Sequence, residues 1–349
     1  MTRLSQQRLT LIGAPGSPYT HKMIALLRYR QIPYQVIWGQ PSIELGKRGI
    51  AKPKVELLPT FIFDDENGEP KAVLDSTPII RRLETQWQDR SVIPNDPVLA
   101  FMDYLIEDFA DEWATKYMFH YRWHGSADAD NAGSLLPFGV NNGLSDEQHS
   151  QFKKLFSERQ INRLYVVGSN DVTAPVIDAS YRRFLKALSD HLRDNLFILG
   201  QRPSACDFAL YGQLTQLVGF DPTPRAIAES HAPRVVAWVQ RMSDLSGCQA
   251  VENGWHSSGS ISDSLTALLS EMGRVYAPAL LANAKALQAS EKTWQTTIDD
   301  VLWTQQTFPY QGKCLQWIQQ AFANLSSSDQ SKTRELLNGT GCEALILSR

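Results

Sequence analysis

A serine stands where the first apolar segment of the chain gives way to a turn and then to a helix-like pattern. Ser17 follows the β-rich residues 9–13 and precedes Pro18, which suits the first position of a helix. The free N–H groups and the dipole of a helix N-terminus favour an anion beside them, and a hydroxyl there can donate a hydrogen bond to a thiolate. Ser17 is the preferred donor. Tyr19 and Thr20 are competing hydroxyls, and a purely structural turn serine is the third interpretation.

A second polar pair, Asp75 and Ser76, precedes another amphipathic segment. Free N–H groups and a serine hydroxyl at a helix start can hold a carboxylate, and an aspartate beside them can accept hydrogen bonds from an ammonium group. An isolated pair of this kind more often only caps a helix. The interpretation as a ligand site therefore depends on Pro59, which directly precedes the apolar run 60–63 and favours a cis bond at a tight turn.

The elements that must position these groups follow a simple order. Residues 9–13 and 34–38 have strand character and flank a segment of period 3.6, which predicts a βαβ unit. Two further apolar runs flank Asn67-Gly68, a pair typical of a β-hairpin turn, and a helix is expected after Asp75. The predicted order is β-α-β, connection, β-β-α.

This order, together with Ser17-Pro18-Tyr19, Leu58-Pro59-Thr60 and Asp75-Ser76, resembles the glutathione transferase superfamily. The resemblance implies an α/β plus all-α fold, in which a thioredoxin-like glutathione-binding domain spans residues 1–88. An all-helical transferase C-terminal domain would follow at residues 98–245. A further helical extension would occupy residues 246–349.

The same resemblance assigns roles to the motif residues. Glutathione, the co-substrate, would place its thiol at Ser17, which would lower the pKa of that thiol without acting as the nucleophile. The backbone of Leu58, before Pro59, would pair with the peptide part of glutathione. Asp75 and Ser76 would hold the ammonium and the carboxylate of its γ-glutamyl end.

One basic residue is assigned more loosely, and one residue type is absent from the motif. Among the basic residues between 47 and 54, Lys54 is preferred as a partner for the glycyl carboxylate, and the alternative is an ordinary solvated basic loop. Related thiol-transferring members carry a cysteine before the Pro-aromatic pair, where this chain has Ser17, so disulfide exchange is not expected. The cysteines, Cys206, Cys248, Cys314 and Cys342, come later and lack the spacing of redox or zinc sites.

The helical half carries one folding motif and one aromatic helix. Ser204-x-x-Asp207 matches the capping box that precedes a core helix in the superfamily. A long helix is predicted over residues 98–123, and in transferases the corresponding helix helps to build the pocket for the second substrate. His120 and His124 lack the glutamate of a zinc motif, so no metal is expected. The candidate substrate-binding residues are Tyr19, Tyr104, Trp113, Tyr117 and Tyr121.

Two segments depart from the family pattern, namely residues 125–145, which read as a Gly-, Asn- and Ser-containing loop, and the extension after residue 245. The remaining helices are expected near residues 147–165, 174–194, 206–218, 233–245, 265–281, 293–303, 313–323 and 331–337.

Composition limits the function classes. Thirty-four basic and 37 acidic side chains give a formal net charge of -3, which provides no global attraction for nucleic acid or an anionic membrane.

We expect an unprocessed cytoplasmic homodimer without membrane insertion. The leading hypothesis is a glutathione transferase acting on a small apolar electrophile. The alternatives are a non-catalytic glutathione-binding or protein-interaction module, and a glutathione-dependent reductase, dehalogenase or ether-cleaving enzyme.

Overall fold

The computed structural model describes residues 8–259 and 261–347. The first seven residues of the predicted 1–88 domain, and residues 260, 348 and 349 of the predicted extension, lie outside this part of the chain. Across the described ranges, no helix combines the length and the apolar character that crossing a bilayer would need.

The N-terminal part begins with the predicted βαβ unit. Strand β1 (Leu9–Gly13) leads through a turn into helix α1 (Pro18–Tyr29), and strand β2 (Tyr34–Trp38) returns parallel to β1 in register from Leu9 opposite Tyr34 to Gly13 opposite Trp38. Pro18 occupies the first turn of α1, where no N–H is needed. The apolar residues of α1 are buried, so the predicted amphipathic face is confirmed.

The second half of the sheet is the predicted hairpin. Strands β3 (Thr60–Asp64) and β4 (Pro70–Val73) pair antiparallel, and Gly68 in the connecting turn has a positive φ of 82°. Strand β3 also pairs antiparallel with β1, which gives the order β2-β1-β3-β4. A short helix α2 (Pro41–Gly46), not predicted, precedes β3, and α3 (Ser76–Gln86) follows β4. This is the thioredoxin-like arrangement.

The predicted helix 98–123 is interrupted. Helix α4 (Pro97–Phe109) passes through a π-helical turn (Ala110–Ala114) into α5 (Thr115–His124). A π-turn holds one extra residue per turn and so changes which side chains face each neighbour. The side chains before and after the turn therefore do not form one straight stripe.

The predicted loop at residues 125–145 is wrong, because most of it forms helix α6 (Ser126–Val140), which packs against α7 (Asp146–Ile161). Gly133 permits this close approach, since a Cβ atom there would lie 2.3 Å from the Ser157 Oγ atom. Helix α6 also covers the turn before Ser17, because a Cβ atom on Gly16 would lie 2.2 Å from a methyl carbon of Leu136.

The core helices of the C-terminal half are α8 (Ala174–His191), α9 (Ala205–Gly219), α10 (Pro222–His231) and α11 (Pro233–Met242). Ser204 and Asp207 form the predicted capping box at the start of α9. Helix α9 lies against α1 so closely that a Cβ atom on Gly212 would be 2.6 Å from the Pro18 carbonyl oxygen. This contact joins the helical half to the helix that carries Ser17.

The extension is not purely helical. Helix α12 (Asp263–Gln288) leads into a hairpin of β5 (Thr293–Ile298) and β6 (Val301–Gln306), followed by α13 (Pro309–Ala323) and α14 (Ser327–Leu337). The helix predicted at 293–303 is therefore wrong. Threonines favour a strand, Trp294 and Ile298 alternate inward, and Asp299 and Asp300 adopt the positive φ values of a hairpin turn.

A buried carboxyl group supports the start of α9 and makes stability depend on pH. The Asp103 Oδ1 atom accepts a hydrogen bond of 2.8 Å from the Cys206 backbone N–H, while Oδ2 is buried without a partner. Burial raises the pKa of Asp103 to about 7. In the unfolded chain the value is about 4, so the folded protein binds more protons in this interval and its stability falls as pH rises from about 4 to 7.

Asp103→Asn should reduce this pH dependence, because the amide keeps an acceptor for Cys206 but cannot ionise. Between pH 5 and pH 8 the free energy of unfolding of the variant should fall by roughly 2 to 3 kcal/mol less than that of the wild type. Urea unfolding at the two pH values measures the difference. Equal pH dependence in the two proteins would contradict the assignment.

Candidate functional site

Ser17 is the N-cap of α1. Its Oγ atom accepts a hydrogen bond of 3.2 Å from the Thr20 backbone N–H and lies 3.5 Å from the Leu58 carbonyl oxygen. The longer of these contacts is weak, so the hydroxyl proton of Ser17 is not strongly committed to a protein acceptor. The serine thus combines a capping role with a hydroxyl that can donate to an anion at the helix N-terminus.

The two competing hydroxyls are differently placed. The Tyr19 hydroxyl donates a hydrogen bond of 2.7 Å to the Asp111 backbone carbonyl, and burial together with the Asp111 carboxylate raises the pKa of Tyr19. Thr20 is fully buried, and its side chain packs against Gly13. Neither arrangement favours donation to a bound thiol, and Tyr19, predicted to contact substrate, uses its hydroxyl within the fold.

The loop before β3 adjoins Ser17. The Leu58–Pro59 peptide bond is cis, as the sequence predicts, and Pro59 is buried while Leu58 is half-buried. The Thr60 hydroxyl donates a hydrogen bond of 2.6 Å to the Leu57 carbonyl and closes the turn. The approach of the Leu58 carbonyl to Ser17 brings the first two sequence motifs together.

The third motif is connected to α1 by a buried lysine. The Lys22 Nζ atom donates hydrogen bonds to Ser76 Oγ at 3.0 Å, Glu107 Oε1 at 2.9 Å and Asp111 Oδ2 at 2.6 Å. Burial opposes its charge, yet the carboxylates of Asp111 and Glu107 raise the pKa of Lys22 above its usual range. Ser76 accepts from the lysine and so keeps its own proton for a further acceptor.

Sequence reasoning did not single out Lys22, although a signal exists. A lysine inside the apolar face of a helix is rarely buried without a charged partner. Glu107 and Asp111, spaced by four residues on the acidic aromatic helix, were the available partners.

Asp75 has an unusual backbone and an unexpected partner. Its φ is 77°, which is rare for a residue other than glycine. The Tyr310 hydroxyl, from the first turn of α13, donates a hydrogen bond of 2.7 Å to Asp75 Oδ2. The extension therefore reaches the proposed γ-glutamyl site, which no sequence pattern indicated.

The basic candidate Lys54 is exposed in the loop between α2 and β3. This placement fits both a residue that meets a carboxylate of a bound peptide and an ordinary solvated lysine. Its role stays a prediction.

Three of the predicted substrate-facing aromatics are core residues, and the prediction for them is wrong. Trp113 and Tyr117 are fully buried and hydrogen-bonded to each other at 3.0 Å, and the Tyr117 hydroxyl also contacts Ser180 Oγ at 2.6 Å. The Tyr121 hydroxyl donates to Asp178 Oδ1 at 2.6 Å. These side chains pack α5 and the π-turn against the neighbouring helices, because burying aromatic area there stabilises the helical core.

Tyr104 has a different environment. It is half-buried in the wall of a cavity of about 710 Å³ between α3, α4 and α13, and the Arg81 guanidinium lies 5.6 Å from its ring centroid. Asp75 and Tyr310 also line this cavity, whereas Ser17 and Pro59 do not. The cavity therefore adjoins the proposed γ-glutamyl position.

Acidic groups dominate the junction of α4 with the extension. Burial raises the pKa of Asp108 to about 7 and, with help from the Asp108 carboxylate, that of Glu112 to about 8. Asp108 also accepts a hydrogen bond from the Tyr276 hydroxyl. Two tyrosine hydroxyls of the extension therefore donate hydrogen bonds to carboxyl groups in the cavity wall, Tyr310 to Asp75 and Tyr276 to Asp108.

The histidine pair has structural partners. His120 Nδ1 lies 2.7 Å from Ser169 Oγ, and His124 Nε2 lies 3.1 Å from Asp171 Oδ1. Within residues 8–259 and 261–347, no group of three or more His, Cys, Asp or Glu side chains is arranged to hold a metal ion. The cysteines all lie in these ranges and are free thiols.

Two domain models match the chain in the expected order. The glutathione S-transferase N-terminal domain matches residues 11–91, and the glutathione S-transferase C-terminal domain matches residues 181–242. The chain therefore contains the N-terminal and C-terminal domains of the glutathione S-transferase superfamily. The N-terminal match contains Ser17, Pro59 and Ser76. The intervening residues 92–180 and those after 242 lie outside both matches, so the Tyr310 contact comes from a part of this transferase-family chain that neither model covers.

Solved structures of this superfamily are similar at low identity. A family member from Pseudomonas fluorescens with two glutathione molecules bound shares 14% identity, covers 70% of this chain and 95% of its own, and has a TM-score of 0.40. A transferase from Burkholderia graminis shares 17% identity over 68% and 82% of the chains, with a TM-score of 0.37. The mango Tau class enzyme shares 15% identity over 67% and 88%, with a TM-score of 0.39. No curated protein matches the sequence significantly.

Proposed function

We propose that this protein is a glutathione transferase in which the Ser17 hydroxyl stabilises the thiolate of bound glutathione for attack on an apolar electrophile. The observation that carries the proposal is the meeting of the three motifs at one end of the sheet. Ser17 adjoins the Leu58 carbonyl, and Lys22 on the same helix holds Ser76. Superfamily membership supports glutathione as the co-substrate.

In the proposed complex, glutathione extends from Ser17 to Asp75. Its cysteinyl backbone would pair with Leu58, its γ-glutamyl carboxylate would accept from Ser76, and its ammonium would donate to Asp75. Lys54 is the proposed partner of the glycyl carboxylate. The contacts with Ser76, Asp75 and Lys54 are hydrogen bonds in which at least one partner is charged, and the contact with Leu58 is a backbone pair. Hydrogen bonds to charged groups are strong and fix the orientation of a small peptide.

The proposed chemistry requires little of the protein beyond orientation and charge stabilisation. The thiol proton leaves to solvent, and the resulting thiolate accepts a hydrogen bond from Ser17. The sulfur lone pair then forms a bond to an electrophilic carbon. In a substitution, the leaving group departs with the electron pair of the bond that breaks. In an addition, the π pair of an activated double bond moves to the activating group, and the resulting anion takes a proton from solvent. A lower thiol pKa increases the thiolate fraction near neutral pH, which raises the rate.

Ser76→Ala tests the binding part of the proposal. The variant loses a donor to a carboxylate, so the dissociation constant for glutathione should rise about tenfold or more. Isothermal titration with glutathione measures the effect, and retention on immobilised glutathione provides a second readout. Ser331→Ala, which removes an exposed hydroxyl on α14, is the matched control and should bind like the wild type. Unchanged binding by Ser76→Ala would contradict the assignment.

Turnover separates the alternatives. Conjugation of a generic aryl halide by the wild type would support the transferase, whereas glutathione binding without turnover on any electrophile would favour the binding module. Formation of oxidised glutathione would indicate the reductase. The glutathione adduct and the released halide can be quantified in the same reaction.

The superfamily resemblance also implies a homodimer in the cytoplasm, and both remain proposals. Helix α12 packs against α8 and α4 within the chain. A dimer must therefore use surface that α12 leaves exposed. Sedimentation at micromolar concentration measures the oligomeric state.

A further inference from the structure

We infer that Tyr310 is a positioning residue for the γ-glutamyl end of glutathione, because its hydroxyl fixes the Asp75 carboxylate so that the other oxygen can receive the ammonium group. This inference rests on the proposed function. It assigns a role in glutathione recognition to the extension, which lies outside both domain matches.

The contact joins two remote parts of the chain. Tyr310 and Asp75 are 235 positions apart, and the hydroxyl donates to Asp75 Oδ2 at 2.7 Å. Asp75 is held with a φ of 77°, a backbone conformation that costs a non-glycine residue free energy and persists only where its surroundings enforce it. An external donor to its side chain is one such restraint.

Tyr310 is itself held in place. Asn283 on α12 makes two hydrogen bonds with the backbone of Phe308, accepting from its N–H at 2.8 Å and donating to its carbonyl at 3.0 Å. The Trp317 ring packs edge-on against the Tyr310 ring, with centroids 5.8 Å apart. The tyrosine is thus part of a packed helix start, and its hydroxyl is available at a defined position.

The charge state suits this role. Burial and the neighbouring Asp75 carboxylate both raise the pKa of Tyr310, so the phenol stays protonated and donates. In the described ranges no protein group donates to Asp75 Oδ1, and the residue is half-buried in the wall of the cavity. A carboxylate with one oxygen committed to a phenol and one oxygen open presents a single oriented acceptor. That geometry matches an ammonium group.

Tyr310→Phe tests the inference by removing only the hydroxyl. Its dissociation constant for glutathione should rise about fivefold to tenfold, less than for loss of a direct hydrogen bond to a charged group, because Asp75 keeps its charge and loses only the donor that orients it. Glutaryl-cysteinylglycine, which is glutathione without the α-amino group, is the decisive second ligand. Its affinity should change less than about twofold in the variant, because the hydroxyl acts through the ammonium site. Isothermal titration supplies all four constants.

Tyr276→Phe is the matched control. It removes another tyrosine hydroxyl of the extension, one that donates to Asp108 in the wall of the same cavity and not to Asp75. It should bind glutathione like the wild type. In steady-state conjugation, Tyr310→Phe should raise the KM for glutathione and leave kcat nearly unchanged, since the thiol belongs to the neighbouring cysteinyl residue and would lie at Ser17, away from the ammonium group.

If the wild type binds glutathione, three outcomes would overturn the inference alone. Unchanged glutathione affinity in Tyr310→Phe would show that the hydroxyl does not position Asp75, and tighter binding would show that it blocks the site. Equal losses for glutathione and for the deaminated analogue would indicate a general structural effect. A wild type that fails to bind glutathione would instead overturn the proposed function, and the inference with it.

Discussion

Replacement of Ser17 by Ala should lower kcat/KM for conjugation by about 100-fold to 1000-fold, the usual effect of removing a preorganised donor from a developing anion. Glutathione affinity should change much less, because the peptide contacts at Leu58, Asp75 and Ser76 remain. The ultraviolet absorbance of the thiolate, followed against pH in the binary complex, should show a higher pKa for bound glutathione in the variant.

The capping role of Ser17 must be separated from its proposed catalytic role. Loss of an N-cap serine costs about 1 kcal/mol of stability. Ser262 caps α12 in the same way, accepting from the Leu265 N–H at 3.2 Å, so Ser262→Ala controls for that loss. Ser17→Thr keeps both the hydroxyl and the cap and should restore most of the activity. Activity in Ser17→Ala equal to that in Ser262→Ala would rule out thiol activation by Ser17.

Lys22→Met should reduce the free energy of unfolding by about 3 to 5 kcal/mol, because it leaves Asp111 buried without its cation and leaves Glu107 with only the Arg81 guanidinium, 3.5 Å away. The side chains of Lys22 and Glu107 are almost completely excluded from solvent, so the loss of the lysine charge beside these carboxylates is costly. The variant should also bind glutathione more weakly, since Ser76 loses the group that orients its hydroxyl. Urea unfolding and isothermal titration measure the two effects.

Two further variants serve as controls for the Lys22→Met prediction. Lys186→Met removes an exposed ion pair of similar length, 2.6 Å to Asp190, and should cost less than about 0.5 kcal/mol. The triple variant Lys22→Met, Glu107→Gln, Asp111→Asn removes all three charges and should recover much of the lost stability. A loss below about 1 kcal/mol in Lys22→Met would mean that the buried cluster tolerates an unpaired carboxylate, contrary to the structure.

The N-terminal part was predictable because its signals are local. Pro18 marks the start of α1, Asn67-Gly68 marks the β3–β4 turn, and the residue pair 75–76 marks the start of α3. Each of these signals depends on residues within a few positions of one another. The backbone preference that defines a cap or a turn can therefore be read from the sequence.

The two elements that were predicted incorrectly, residues 125–145 and 293–303, failed for the same reason. Residues 125–145 contain glycines typical of a loop, yet Gly133 serves a close helix contact with α7. Residues 293–303 were assigned a helical period, but Trp294 and Trp303 are buried on one side of a hairpin. In both cases a packing partner overrode the local pattern.

The aromatic helix illustrates the same limit. Tyr104 lines the cavity, whereas Trp113 and Tyr117 are enclosed between α5, the π-turn and later helices. One of those partners, Tyr276, lies on α12, more than 150 residues further along the chain. Aromatic residues on every face of a helix do not indicate which face will meet solvent, because the answer depends on helices that arrive later.

Residue types and their order were enough to indicate the superfamily, the thioredoxin-like sheet and the motifs at Ser17, Pro59 and Asp75-Ser76, since these rest on short-range backbone chemistry. The neighbours of those motifs emerged only from the folded chain. Lys22 reaches Ser76 and Glu107, and Tyr310 reaches Asp75 across 235 positions. Such contacts depend on how remote helices pack together, and no local pattern of residues encodes that arrangement.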